Sequence, residues 1–170
     1  MPRRQIIDLP GALHFVTFST YQRRRFLSPD RTRTIVVEVL QACLERHRAT
    51  CCGFVVMPDH VHAILSVAPD STIGAFLLAW KKTSSFRIKR FYAQEFANYR
   101  ETCPENCPVW QANFYDFLLE SDKKFLEKID YMHDNPVTAG LCGTILDWKS
   151  SSARFYELRE DVGVQMTQLH

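Results

Sequence analysis

Residues 54–65 read FVVMPDHVHAIL, and the fold turns on how this stretch is divided. Two apolar runs, TCCGFVVM and HVHAILSV, flank Pro58-Asp59, a pair suited to a tight turn. The expected unit is therefore a β-hairpin. Along its second strand, alternate side chains share a face, so His60 and His62 project together while Val61, Ala63 and Leu65 project to the other side. One face reads as core. The other carries two imidazoles at the mouth of a turn, either a half-solvated polar face or the beginning of a metal site.

Upstream, ALHFVTFST (12–20) has strand composition and leads into the basic YQRRRF. SPDRTRTIVVEVLQACLERHR then reads as a helix, with Ser28 as its cap, Pro29 in its first turn, and an apolar face of Val36, Val39, Leu40, Cys43 and Leu44. A second helix is expected from about Thr72 to Phe91, burying Ile73, Phe76, Leu77, Trp80, Ile88 and Phe91. VWQANFYDFLL reads as a short strand. A third helix, SDKKFLEKIDYMHDNP, is capped by Ser121, buries Phe125, Ile129 and Met132, and stops at Pro136. The order β-α-β-β-α-(β)-α implies an α+β fold, one mainly antiparallel sheet with helices packed on it.

The chain has 170 residues, a size that suits one domain with a real core. Neither a signal peptide nor an apolar run of membrane-spanning length is legible, which gives a cytoplasmic expectation. The net charge of +2 conceals an uneven distribution. Residues 1–112 hold 15 Lys+Arg against 9 Asp+Glu, and residues 113–170 hold 6 against 10. Arg23, Arg24 and Arg25 form one acid-free cluster; KKTSSFRIKR, with Lys81, Lys82, Lys89 and Arg90, forms another. Two such clusters point to a polyanion partner, and Tyr21, Trp80 or Phe86 could stack on unpaired bases. All six cysteines read as reduced thiols, Cys43, Cys51 and Cys52 as small buried hydrophobes. Cys103 and Cys107 have a zinc-compatible spacing but no second ligand pair.

Two histidines leave a metal site incomplete. On the third helix, Tyr131 and Asn135 are one turn apart on one face, off the apolar stripe, whereas His133 points elsewhere. Asn135 offers a carbonyl oxygen and Tyr131 a phenol able to act as a nucleophile. Tyr115, beside Asp116, is the other tyrosine with a neighbouring base, but its setting between Phe114 and Phe117 suggests a packed aromatic. A histidine-triad hydrolase would need a third alternating histidine where Ile64 stands. A cupin-like site would need a carboxylate soon after the histidine pair, and AILSV has none.

VVMPDHVHAIL followed by YMHDNPVTAGL resembles the HUH single-strand DNA transposases with one catalytic tyrosine, and among them the REP-associated tyrosine transposases. The resemblance runs over about residues 9–157, including RRRFLSPDR, VWQANFYDF and DWKSSSARFY. It implies a ferredoxin-like (RRM-like) HUH endonuclease fold over residues 1–157, followed by a tail, 158–170, without a counterpart. It implies His60, His62 and Asn135 as ligands of a divalent cation, Mg or Mn, with Tyr131 as nucleophile. Asn135 departs from the glutamine of the mobile insertion-sequence relatives and fits the REP-associated branch, while Thr138 replaces a basic residue common there. The implied activity is metal-dependent cleavage and rejoining of single-stranded DNA near hairpins through a 5′-phosphotyrosine, in the cytoplasm at the nucleoid. A domesticated hairpin-binding protein that cuts weakly or not at all is the alternative. The partner is single-stranded or hairpin DNA rather than a membrane, and monomer and homodimer both remain open.

Overall fold

A computed structural model describes residues 11–96, 98 and 106–168. The chain runs β1 (Leu13–Ser19), a 3-10 turn (Tyr21–Arg23), α1 (Asp30–His47), β2 (Thr50–Val56), β3 (His60–Ser66), α2 (Ile73–Glu95), β4 (Tyr115–Leu119), α3 (Asp122–Thr138), a second 3-10 turn (Ile145–Asp147) and α4 (Ala153–Leu158). The strands form one antiparallel sheet in the order β2-β3-β1-β4. The α+β expectation holds, and the hairpin of β2 and β3 turns at Pro58-Asp59 as read.

Strand alternation divides the core into two layers. Val16, Phe18, Phe54, Val61, Ala63 and Leu65 pack with α1 and α2, where Leu40, Phe76, Leu77 and Trp80 are fully enclosed. On the opposite face Phe15, Val55 and Ile64 pack with Phe125, Ile129 and Met132 of α3. The histidine face is thus not half-solvated: it is the floor beneath α3, with His60 9% and His62 5% exposed. Gly53 is what lets α3 lie so close. A Cβ there would meet Ile129 Cδ1 at 2.6 Å and Met132 Cε at 2.7 Å, so both side-chain tips would have to move.

Two helix boundaries differ from the sequence reading. Pro29, not Ser28, occupies the cap position of α1, and Thr32 Oγ1 donates to the Pro29 carbonyl at 2.7 Å. Pro136 does not stop α3, which continues to Thr138. The stop is Gly140, in the left-handed region with φ +70. Its N–H donates to Val137 O, and the Leu141 N–H to Pro136 O, each at 2.9 Å, a Schellman closure that needs a residue free to adopt positive φ.

The outer edge of β2 is covered. Val56 N donates to Ser150 O at 2.8 Å, Ser152 N to Phe54 O at 2.9 Å, and Thr167 N to Cys51 O at 2.8 Å. Val164 is buried against the α1 layer, so part of the segment after residue 157 packs onto the sheet and α1 rather than trailing away. His133 is buried under this edge, its Nε2 2.8 Å from Ser152 Oγ. Burial pushes its pKa down to about 4. Its depressed folded-state pKa makes the unfolded chain the better proton acceptor below about pH 6.5, so stability falls as pH drops toward 4. Between pH 7.5 and 5 this one group should cost on the order of 2 kcal/mol. Urea midpoints over that range should fall, and His133→Gln, which keeps a polar partner for Ser152 without titrating, should make the fall shallower.

Cys43, Cys51 and Cys52 are free buried thiols, and Cys142 is also free. Cys103, and with it the Cys103–Cys107 pair, lies outside the described residues. No helix among the described residues is long and apolar enough to cross a membrane.

Candidate active site

The register of the sheet builds the site. His62 lies opposite Thr17 of β1 and Val55 of β2, and His60 lies opposite Ser19. The two imidazole rings are 4.7 Å apart between centroids. Each has its Nδ1 held from behind. Asp59 Oδ1 accepts from His60 Nδ1 at 2.6 Å, and Thr17 Oγ1 is 2.7 Å from His62 Nδ1. An ionised carboxylate can only accept, so His60 carries its proton on Nδ1 and its lone pair on Nε2. Arg23 Nε, 3.1 Å from the other Asp59 oxygen, fixes that carboxylate in turn.

Burial keeps both imidazoles neutral. The His60 pKa is lowered by burial against the pull of Asp59. That of His62 is pushed down to about 3, by burial first and then by His60, Lys128 and Arg23. Neutral imidazole is the ligand form.

α3 brings the remaining groups over this floor. The Asn135 amide lies 3.3 Å from His62 Nε2 through the atom placed as Nδ2. A half-turn of the amide puts its carbonyl oxygen in the same place, because O and N are distinguished only by their partners. Tyr131, one turn back, sets its ring edge-on to His62 at 5.3 Å and to Phe15 at 6.3 Å, while Phe15 stacks on His62 at 5.4 Å. Tyr131 is 51% exposed, so its hydroxyl end is reachable from outside. A cavity of about 440 Å³ opens beside it, lined by Tyr131, Asp134, Asn135, Thr138 and Ala139. The four residues singled out from sequence converge. His133 does not join them.

A family model described as transposase IS200-like (Y1_Tnp) matches residues 11–135, a span that contains both the histidine pair and the tyrosine–asparagine turn. The chain belongs to the IS200-like transposases. Its similarity within that group runs toward the REP-associated kind, as the motifs implied. A Haemophilus influenzae protein provisionally named a REP-associated tyrosine transposase is 25% identical over 149 residues, spanning 84% of this chain and 80% of the relative. The solved structure of a REP-associated tyrosine transposase bound to a REP hairpin shares the fold, with TM-score 0.72 and 17% identity over 100% of this chain and 94% of that one. A Deinococcus radiodurans structure, provisionally a transposase, gives TM-score 0.52 and 17% identity over 79% of this chain and 95% of its own.

The other sequence candidates fare unevenly in this IS200-like transposase. Arg23, Arg24 and Arg25 are exposed beside the β2–β3 turn, where Thr20 N donates to Asp59 O and Leu27 N to Pro58 O, both at 2.9 Å. Tyr92 Oη donates to Phe26 O at 2.8 Å, which brings the end of α2 against this stretch and makes the two basic clusters neighbours. Lys82 and Arg90 are exposed and Lys89 half-buried. Lys81 is a structural lysine: its Nζ donates to Gln111 O and Ala112 O at 2.5 and 3.0 Å, tying that segment to α2. Of the proposed stacking rings, Phe86 is 67% exposed, Tyr21 is half-buried, and Trp80 is fully enclosed and unable to meet a base.

Tyr115 also differs from expectation. It is 41% exposed and lies opposite Thr17 on the histidine face. Asp116 projects to the other face, where its Oδ1 accepts from buried His14 Nδ1 at 2.9 Å, so it is no base for Tyr115. Sequence reasoning passed over Asp59, Thr17 and Lys128. Asp59 could have been suspected as the residue preceding the first histidine; Thr17 needed the strand register.

Proposed function

We propose that the chain is a metal-dependent single-stranded DNA endonuclease and transposase, cutting and rejoining DNA near REP-like hairpins through a 5′-phosphotyrosine. The observation that carries this reading is the convergence of an exposed Tyr131 and the Asn135 amide on the buried, neutral imidazole of His62, with that of His60 beside it. The third ligand in this reading is the Asn135 amide, which lies 3.3 Å from His62 Nε2. Two imidazole nitrogens and an amide oxygen fit a divalent cation with open positions, Mg or Mn in this reading. Such an ion, when bound, supplies charge to a non-bridging oxygen of the scissile phosphate.

The chain's own residues do the rest. Tyr131 Oη attacks phosphorus, the P–O3′ bond breaks, and the leaving oxygen takes up a proton to become a free 3′-hydroxyl. The phenol loses its proton in the same passage, so the step balances overall. The 5′ side stays esterified to Tyr131, and attack by a 3′-hydroxyl of another end reverses the reaction without a nucleotide cofactor. Arg23, Arg24, Arg25, Lys82, Lys89 and Arg90 supply the cationic surface for the hairpin. The relative solved with a REP hairpin supports the choice of partner.

The test is a covalent adduct. The protein, incubated with end-labelled single-stranded DNA carrying hairpins from its own genome, should yield a denaturant-resistant protein–DNA species when Mg or Mn is present and none after chelation. Tight binding with no adduct under any metal would assign the chain to the non-cutting alternative.

A further inference from the structure

α3 carries two more groups toward the site that neither the mechanism nor the basic clusters of the first half use. Lys124 and Lys128 stand one turn apart on the side of α3 that faces β1 and β4. Lys128 Nζ is 4.7 Å from the Phe15 ring centre, 5.5 Å from that of Phe117 and 5.5 Å from that of Tyr131. Lys124 Nζ is 4.8 Å from the Phe117 ring centre. Neither ammonium makes an ion pair with a carboxylate among the described residues, although α3 is rich in acids. Rings beneath the two stems hold the charges in place, attracted by the negative ring faces, without neutralising them. Their separation along the helix is about 6 Å, and the row they begin leads directly to Tyr131.

We infer that Lys124 and Lys128 form a phosphate track for the single-stranded segment that leads from the hairpin to Tyr131, distinct from the basic surface that grips the hairpin itself. The inference rests on the proposed DNA-cutting reading. Its physical basis is charge complementarity: two unpaired cations in line with the nucleophile match the repeating charge of one strand. Among the described residues β4 is an edge strand and Lys124 is exposed, whereas a duplex would be served by the exposed arginines near the β2–β3 turn. A purely structural role, in which the lysine stems merely shield Phe15 and Phe117, makes a different prediction.

The experiment compares two DNAs, a blunt hairpin and the same hairpin with single-stranded extensions at both ends, bound to the full chain over a range of salt. The double variant Lys124→Met/Lys128→Met keeps the stems on the rings and removes both charges. Each lost single-strand phosphate contact should make the salt dependence shallower by about 0.7 in log–log slope, so the extended hairpin should lose about 1.4. The blunt hairpin should keep its slope, Lys124→Arg/Lys128→Arg should restore the wild-type value, and Lys123→Met should change neither. An unchanged slope on the extended hairpin, or equal losses on both DNAs, overturns the track. Failure of the wild-type chain to form an adduct or bind either DNA would instead overturn the reading on which the track depends.

Discussion

Tyr131→Phe should eliminate the covalent protein–DNA adduct completely while leaving the fold and hairpin affinity unchanged. The substitution removes one oxygen from a side chain that is half outside, so little packing is lost. The ring itself keeps its edge contacts with His62 and Phe15. What disappears is the phenol oxygen, which combines nucleophilic chemistry with access from solvent and a rigid link to Asn135, one turn away. Tyr115→Phe is the control, and the structure gives it a different justification from the sequence. Tyr115 is exposed on the correct face, but it belongs to an edge strand, and the neighbouring carboxylate is committed to His14 on the far side of the sheet. The Tyr115 variant should still form adduct at near the wild-type rate. Mass spectrometry of the trapped species decides: a nucleotide attached to Tyr115 would falsify the mechanism at its centre.

The contrast between these tyrosines shows what sequence alone can resolve. Alternation placed His60 and His62 on one strand face, and helical spacing placed Tyr131 beside Asn135, because both rules are local and periodic. The hairpin was legible for the same reason, since Pro58-Asp59 between two apolar runs leaves few alternatives. Properties depending on which strands become neighbours were out of reach. Thr17 touches His62 only because β1 lies beside β3 in the sheet, and Asp116 is unavailable to Tyr115 only because the pleat turns it toward His14. Charge counting failed in both directions. Lys81 belongs to an acid-free cluster yet serves two carbonyls, whereas Lys128 lies in the acidic part of the chain and sets its ammonium 5.5 Å from the Tyr131 ring centre. Pro136 was an overvalued stop signal; the helix ends where a left-handed residue is available, at Gly140.

His60→Ala/His62→Ala should abolish cleavage, lowering the rate of adduct formation by on the order of 10³-fold or more, with hairpin affinity changed only a few-fold. The separation of effects follows from the layout. In the proposed reading, affinity for a polyanion comes from surface cations around the β2–β3 turn and the end of α2, and none is removed. The imidazoles are buried, neutral and supported from behind, an arrangement suited to holding a ligand bond and adding no charge of their own. Because His62 is enclosed, its truncation also leaves a void beneath α3, so each variant must first show a wild-type circular dichroism spectrum and a cooperative unfolding transition as evidence of folding. Asp59→Ala provides the finer measurement. It leaves both imidazoles in place but frees His60 to rotate or change tautomer, and it releases Arg23 from its carboxylate. Half-saturating Mn for adduct formation should rise roughly 10- to 100-fold, with most of the rate recovered at high metal. In the proposed reading metal does not rescue the double histidine variant in this way, because that variant lacks two of the proposed ligands. Full cleavage by that variant at any Mn concentration would remove the histidines from the reaction.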